Sequence, residues 1–204
     1  MALDMHYQAM PEHCSLLARS RQEPEFGELL AFFTSIAKEV LSGNCQDRDN
    51  PTWADFTEEV KRTIQLYPAI EQRECYLGRS WDILYYLLSE KRRQDEPRDG
   101  TSLIEKAIFG GDILHPAVTT TIGHPIRYLP PAEVHQVVNL LSEVTIEVLR
   151  VNYNPLAMSE VAVYKIHEDD DEEAFSHIQQ DFEKLKAFYE EVATHNEGVL
   201  TCLS

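Results

Sequence analysis

Residues 172–203 read EEAFSHIQQDFEKLKAFYEEVATHNEGVLTCL, and this stretch decides the fold class. Phe175, Ile178, Phe182, Leu185, Tyr189 and Val192 step by three and four, the period of a helix with one apolar face. The spacing predicts a helix from about Glu172 to His195. Gly198 releases the chain into Val199–Leu203, which predicts a strand. A one-faced helix beside a strand requires a sheet for the helix to cover.

Working outward, residues 4–10 alternate weakly and predict a short strand that Pro11 ends. Pro11 to Arg21 offers a short helix. Phe26, Leu29, Leu30, Phe33, Ile36, Ala37, Val40 and Leu41 recur at helical spacing up to a stop at Gly43. Asn50-Pro51 opens another helix, with Trp53, Phe56, Val60, Ile64 and Tyr67 as its stripe and Pro68 as its end. Ser80 is expected to cap a helix carrying Trp81, Leu84, Tyr85 and Leu88. Ser102 and Glu105 form a capping box for Leu103–Phe109, which Gly110-Gly111 closes. Residues 112–128 read as loop with one short strand near Ile126–Tyr128. Pro130-Pro131 opens one long helix reaching Leu149, and Val161–Tyr164 has strand composition.

The expected fold is α/β: a helix-rich single domain over residues 1–204, with a small central mixed sheet covered by helices as a sandwich. The strands at the two ends of the chain are expected to pair in its centre.

The formal net charge is −17, and residues 151–204 hold twelve acidic against three basic side chains. Such a balance repels phosphate backbones and anionic lipid, so neither nucleic acid nor membrane is an expected partner. The best basic run, Lys91-Arg92-Arg93 with Arg98, is short and flanked by Glu90, Asp95 and Glu96. Cys14, Cys45, Cys75 and Cys202 are scattered without metal-ligand spacing, which fits a reducing cytoplasm. The first residues lack a basic segment followed by an apolar run, so no signal peptide is expected. No apolar run approaches the roughly 18 residues that a membrane span needs.

Phosphate loops, a Gly-x-Ser-x-Gly elbow and a His-Glu-x-x-His helix are all missing, so the reading leans away from an enzyme. Asp112, His115 and His124 could supply metal ligands from one loop, yet their spacing matches no standard site. The run Glu168-Asp169-Asp170-Asp171-Glu172-Glu173 lacks the glycine of a calcium loop and suits a helix start, where acids meet the positive end of the dipole. No metal or other cofactor is expected. Asp82 is the sharper candidate, because an acid beside Trp81 and Tyr85 could face a cleft shared with Arg127 and Tyr128.

Several elements together resemble a known family. Arg79-Ser-Trp81-Asp82-Ile-Leu84-Tyr85-Tyr86-Leu-Leu88 resembles the Trp-Asp-x-Leu-His-x-Leu-Leu helix of the YfbM-like proteins, bacterial proteins of unknown function. Ser102–Gly111 is similar to their Pro-Leu-x-x-Ala-Val-Leu-Gly-Gly element. Arg127-Tyr128-Leu129-Pro130-Pro131-Ala-Glu133-Val134 resembles their Arg-Tyr-Leu-Thr-Pro-Glu-Glu-Val lead into a long helix. Asn152–Met158 and the Phe188-Tyr189 helix with its following strand continue the series. The resemblance is good over 76–204 and weak before it. It implies a compact α/β sandwich and a bacterial cytoplasmic home, and it brings no activity. Tyr85 stands where many members have His, which argues against an obligatory acid–base histidine there.

Two functions follow as expectations. The first is a non-enzymatic interaction protein that offers Glu168, Asp169, Asp170, Asp171, Glu172 and Glu173 to a basic protein partner. The second is a small-ligand-binding protein or enzyme with a cleft near Trp81, Asp82, Tyr85, Arg127 and Tyr128, with His115 and His124 in reach.

Overall fold

In the computed structural model, residues 3–45, 50–89, 102–169 and 172–204 are described. Lys91, Arg92, Arg93, Arg98, Asp170 and Asp171 lie outside them. The chain runs β1 (Met5–Met10), α1 (Ser15–Ser20), α2 (Pro24–Leu30), α3 (Phe33–Leu41), α4 (Pro51–Leu66), a 3-10 turn (Ile70–Gln72), β2 (Glu74–Gly78) and α5 (Trp81–Leu88). It continues with α6 (Leu103–Phe109), β3 (Asp112–Ile113), β4 (Arg127–Leu129), α7 (Pro131–Glu143), α8 (Ile146–Asn152), α9 (Pro155–Glu160), α10 (Glu172–Thr194) and β5 (Gly198–Leu203).

The terminal strands form the centre of the sheet, whose order is β2-β1-β5-β4-β3. Tyr7 lies opposite Thr201, and Arg127 lies opposite Thr201 on its other side. Every pairing between these strands is antiparallel, so the expected mixed sheet is corrected. Among the described residues no βαβ crossover joins neighbouring parallel strands; helices instead lead the chain back to antiparallel edges.

Alternation along β1 and β5 divides the core. Tyr7 faces α10, with its ring 6.1 Å from Phe188 and 6.3 Å from Tyr189. The Tyr7 hydroxyl donates to Ile108 O at 2.7 Å and the Tyr189 hydroxyl to Ala107 O at 2.9 Å, so both tyrosines hold the end of α6. On the opposite face Gln8 Nε2 donates to Ile70 O at 2.9 Å, while its Oε1 accepts from Thr34. The N-terminal helices close that side around Phe26 and Phe56, whose rings meet edge-on at 5.3 Å.

The predicted α10 stripe is buried throughout, with Phe188 added to it. Four local expectations change. The apolar run from Phe26 to Leu41 breaks into α2 and α3 at Ala31–Phe32, because periodicity marks buried positions and not where the helix axis turns. The long helix after Pro131 stops at Val144, whose backbone is extended. Thr145 then caps α8 by accepting from Val148 N, and the β-branched run Val144-Thr145-Ile146 favours that break.

Val161–Tyr164 is a turn and not a strand: Ala162 sits at φ 53°, which no ladder accepts. Ser80 gives no side-chain cap to α5, and its hydroxyl donates to Asp181 Oδ2 at 2.6 Å. A strand outside the sequence reading, β2, buries Cys75 and Leu77 and exposes Tyr76. That alternation is too short to stand out between helices. Among the described residues, no helix is long and apolar enough to cross a membrane.

Candidate functional site

Trp81 and Asp82 open α5, and both are buried. Trp81 Nε1 donates to Leu3 O at 2.9 Å, and its ring stacks on Tyr164 at 5.9 Å and meets Phe109 edge-on at 5.8 Å. Asp82 Oδ2 accepts from Tyr164 N at 2.8 Å. That bond anchors the turn between Ala162 and Lys165, both with left-handed backbone, onto the start of α5. Tyr85 donates from its hydroxyl to Glu105 Oε1 at 3.2 Å and packs on Phe109 at 5.0 Å. Ser102 Oγ accepts from Glu105 N at 3.1 Å, one half of the predicted capping box, while the Glu105 carboxylate reaches Tyr85. These residues knit elements together, and the described cavities are lined elsewhere.

Arg127 and Tyr128 point to opposite faces of the sheet, as neighbours on a strand must. Tyr128 is buried on the face of α1, and its hydroxyl donates to Met10 O at 3.2 Å. The Arg21 guanidinium stands 4.8 Å over its ring. Arg127 instead borders a pocket of 220 Å³ with His124, Thr201, Phe109, Met5 and Leu203. This volume falls below the roughly 300–1,000 Å³ of sites for drug-sized ligands. It fits one polar group on a short apolar body.

Each wall of the pocket has a local cause. Phe109 is the last residue of α6, and Gly110 follows at φ 84°. A Cβ on Gly110 would stand 2.7 Å from Thr201 Oγ1, so only glycine lets α6 approach β5 this closely. Phe109 is held from behind by Trp81 and Tyr85, which ties the predicted cluster to the pocket as support. Pro125 bridges to Thr119 and sets His124 at the rim.

The polar groups there are under-used. Arg127 Nη1 donates to Gly111 O at 2.9 Å, and the side chain makes no ion pair among the described residues. Thr201 is 2% exposed, and its hydroxyl has no hydrogen-bond partner among the described residues. In a chain with so many acids, an arginine in a pocket without a carboxylate is unusual.

The other predicted residues stay apart. His115 Nδ1 accepts from Ala117 N at 3.1 Å, a local turn contact. Asp112, His115 and His124 are not gathered, and the described residues include no cluster of three metal-ligating side chains. Glu168, Asp169, Glu172 and Glu173 are exposed, with Glu172 paired to Arg150. Sequence reasoning missed Met5, Phe109, Pro125, Thr201 and Leu203. Thr201 carried a signal, being a hydroxyl at an inward position of an otherwise apolar strand.

A family model described as a domain of unknown function, DUF1877, matches residues 26–202. The chain belongs to this family. The match begins well before residue 76, so family character extends into the N-terminal helices where the motif resemblance is weak. The fold is similar to the crystal structure of a protein of unknown function, YfbM from Escherichia coli, with a TM-score of 0.57 and 13% identity. That similarity covers 98% of this chain and 99% of the other, and it confirms the YfbM-like architecture. No curated protein matches the sequence.

Proposed function

We propose that this DUF1877 protein is a binding protein that recognises a small carboxylate in the Arg127 pocket. The observation carrying this reading is Arg127 itself, unpaired with any described carboxylate and facing a pocket walled by Phe109, Met5 and Leu203. A guanidinium offers a planar fork of donors that matches a carboxylate with two parallel hydrogen bonds. His124 lies at the same pocket and offers a further ring nitrogen. The apolar walls suit a short alkyl or aryl body. Four cysteines without a disulfide support a reducing setting such as the cytoplasm.

The reading of an acidic docking surface for a basic protein rests on the exposure of Glu168, Asp169, Glu172 and Glu173. It is the weaker of the two, since Arg150 already answers Glu172.

Calorimetric titration of the full chain with benzoate, and with benzamide as the neutral match, tests the pocket. Benzoate is expected to bind, and Arg127→Gln to weaken it about 10- to 100-fold, the scale of one charge-assisted contact. Arg127→Lys is expected to recover part of the loss, which separates charge from a folding defect. Equal binding of benzamide, or no heat with benzoate, overturns the proposal.

A further inference from the structure

The same strand ends that line the Arg127 pocket present a second concavity on the other face of the sheet. Met5 and Leu203 border the pocket, whereas His6 and Cys202, their neighbours along β1 and β5, border a groove of 480 Å³. The loop after Val118 serves both sides, with His124 and Pro125 at the pocket and Thr119–Thr121 at the groove. The far wall of the groove is the corner between α2 and α3, where Glu28 on α2 and Phe32 at the break before α3 both line it. Its volume lies within the roughly 300–1,000 Å³ of small-molecule sites.

The chemistry of this groove is opposite to that of the pocket. Glu28 makes no ion pair among the described residues and is its one carboxylate side chain. Phe32 is 51% exposed beside it, an apolar ring left facing solvent at a helix corner. Burial pushes the Cys202 thiol up to about 12, so the floor stays neutral at physiological pH. His6, on the groove wall, meets Glu74 through its Nε2 at 3.1 Å, and Glu74 also pairs with Lys38 at 2.7 Å. Thr119 and Thr121 add hydroxyls along the rim.

We infer that this groove binds a small primary alkylamine, its ammonium on Glu28, its stem across Phe32 and its remaining donors toward the threonine rim. A carboxylate beside an aromatic face meets an ammonium by both charge and cation–π attraction. The net charge of −17 raises the local concentration of cations but does not choose a site for them. Glu28 and Phe32 would make that choice. The inference stands apart from the carboxylate pocket, because the two cavities lie on opposite faces and use different side chains.

The test is a titration of the isotope-labelled full chain with n-butylamine, n-butanol and butyrate at physiological salt, followed by amide NMR. Butylamine is expected to shift Phe32 and Thr119–Thr121, and Glu28→Gln to weaken it about tenfold or more. Glu28 is exposed, so this variant keeps its fold; Phe32→Ala is expected to weaken binding by a smaller factor. Glu191→Gln, an exposed acid on α10, is the control for diffuse attraction and is expected to change nothing. Equal shifts from butanol, equal weakening by Glu191→Gln, or shifts spread along α10 overturn the inference. Butyrate shifting Phe32 and Thr119–Thr121 as strongly as butylamine does also overturns it.

Discussion

Arg73 and Glu197, 124 residues apart, meet in a two-pronged ion pair, with Nε to Oε2 at 2.8 Å and Nη2 to Oε1 at 2.7 Å. Both side chains are about 95% buried. The pair locks the residue before β2 to the residue before β5. The Arg73 carbonyl also accepts from Ala9 N at 3.0 Å, which draws β1 into the same knot.

Removing one member strands a charge in the core. Arg73→Met or Glu197→Gln is expected to cost about 3–5 kcal/mol in denaturant unfolding. Arg73→Met combined with Glu197→Leu is expected to recover much of that, since neither charge then stays buried alone. Single variants that lose less than about 1 kcal/mol, the scale of an exposed pair, would contradict the assignment.

Asp82 is predicted to act as a clamp and not as a reactive acid. Asp82→Ala leaves Tyr164 N without its carboxylate and is expected to cost about 1–3 kcal/mol. Tyr164 stacks on Trp81, so Trp81 fluorescence and hydrogen exchange at the Tyr164 amide should both change. An unaltered exchange rate at Tyr164 counts against the clamp.

Thr201→Val is expected to separate stability from binding. Its buried hydroxyl has no partner among the described residues, and valine keeps the shape, so unfolding should become harder by up to about 1 kcal/mol. If that hydroxyl serves the carboxylate in the Arg127 pocket, benzoate affinity should fall in the same variant. Lower stability with unchanged affinity would mean that Thr201 packs against Gly110 and does nothing else.

The thiols make a pH prediction. Burial pushes Cys14 up to about 11, and Cys75 and Cys202 up to about 12, from an ordinary value of 9.0. The folded chain therefore holds these protons after the unfolded chain has released them. This contribution is fully present below the unfolded value and is lost as pH rises from about 9 to about 12. At neutral pH a thiol reagent is expected to modify half-buried Cys45 quickly and the other three only on unfolding. Rapid modification of all four in the native state would refute the buried placement.

Much of the architecture was legible because it is local. The Phe175–Val192 stripe, the Asn50-Pro51 start and the Gly110 stop each act through neighbours within one or two turns, so spacing and residue type suffice. Where several apolar choices are equivalent, as at Ala31–Phe32 and Val144, spacing did not say where an axis bends. Of the residues named for a cleft, Arg127 and His124 border one pocket, Tyr128 lies on the other face of the sheet, Trp81 and Tyr85 pack on Phe109 at its wall, and Asp82 holds Tyr164 N. Strand alternation and distant packing set these places, which residue type and spacing do not encode.

By itself the sequence determined a helix-rich chain with a strand at each end, a marked acidic excess and no familiar catalytic motif. Tertiary structure alone decided that those end strands, expected to pair centrally, run antiparallel and in the register that sets Tyr7 opposite Thr201. It also decided that Met5 and Leu203 line one cavity while His6 and Cys202 line another. The reason is physical: periodicity states which residues leave water, but the partner each one meets depends on register between segments nearly two hundred residues apart. Thr201 shows this most plainly, because its hydroxyl became an unpartnered group only when α6 closed over it at Gly110.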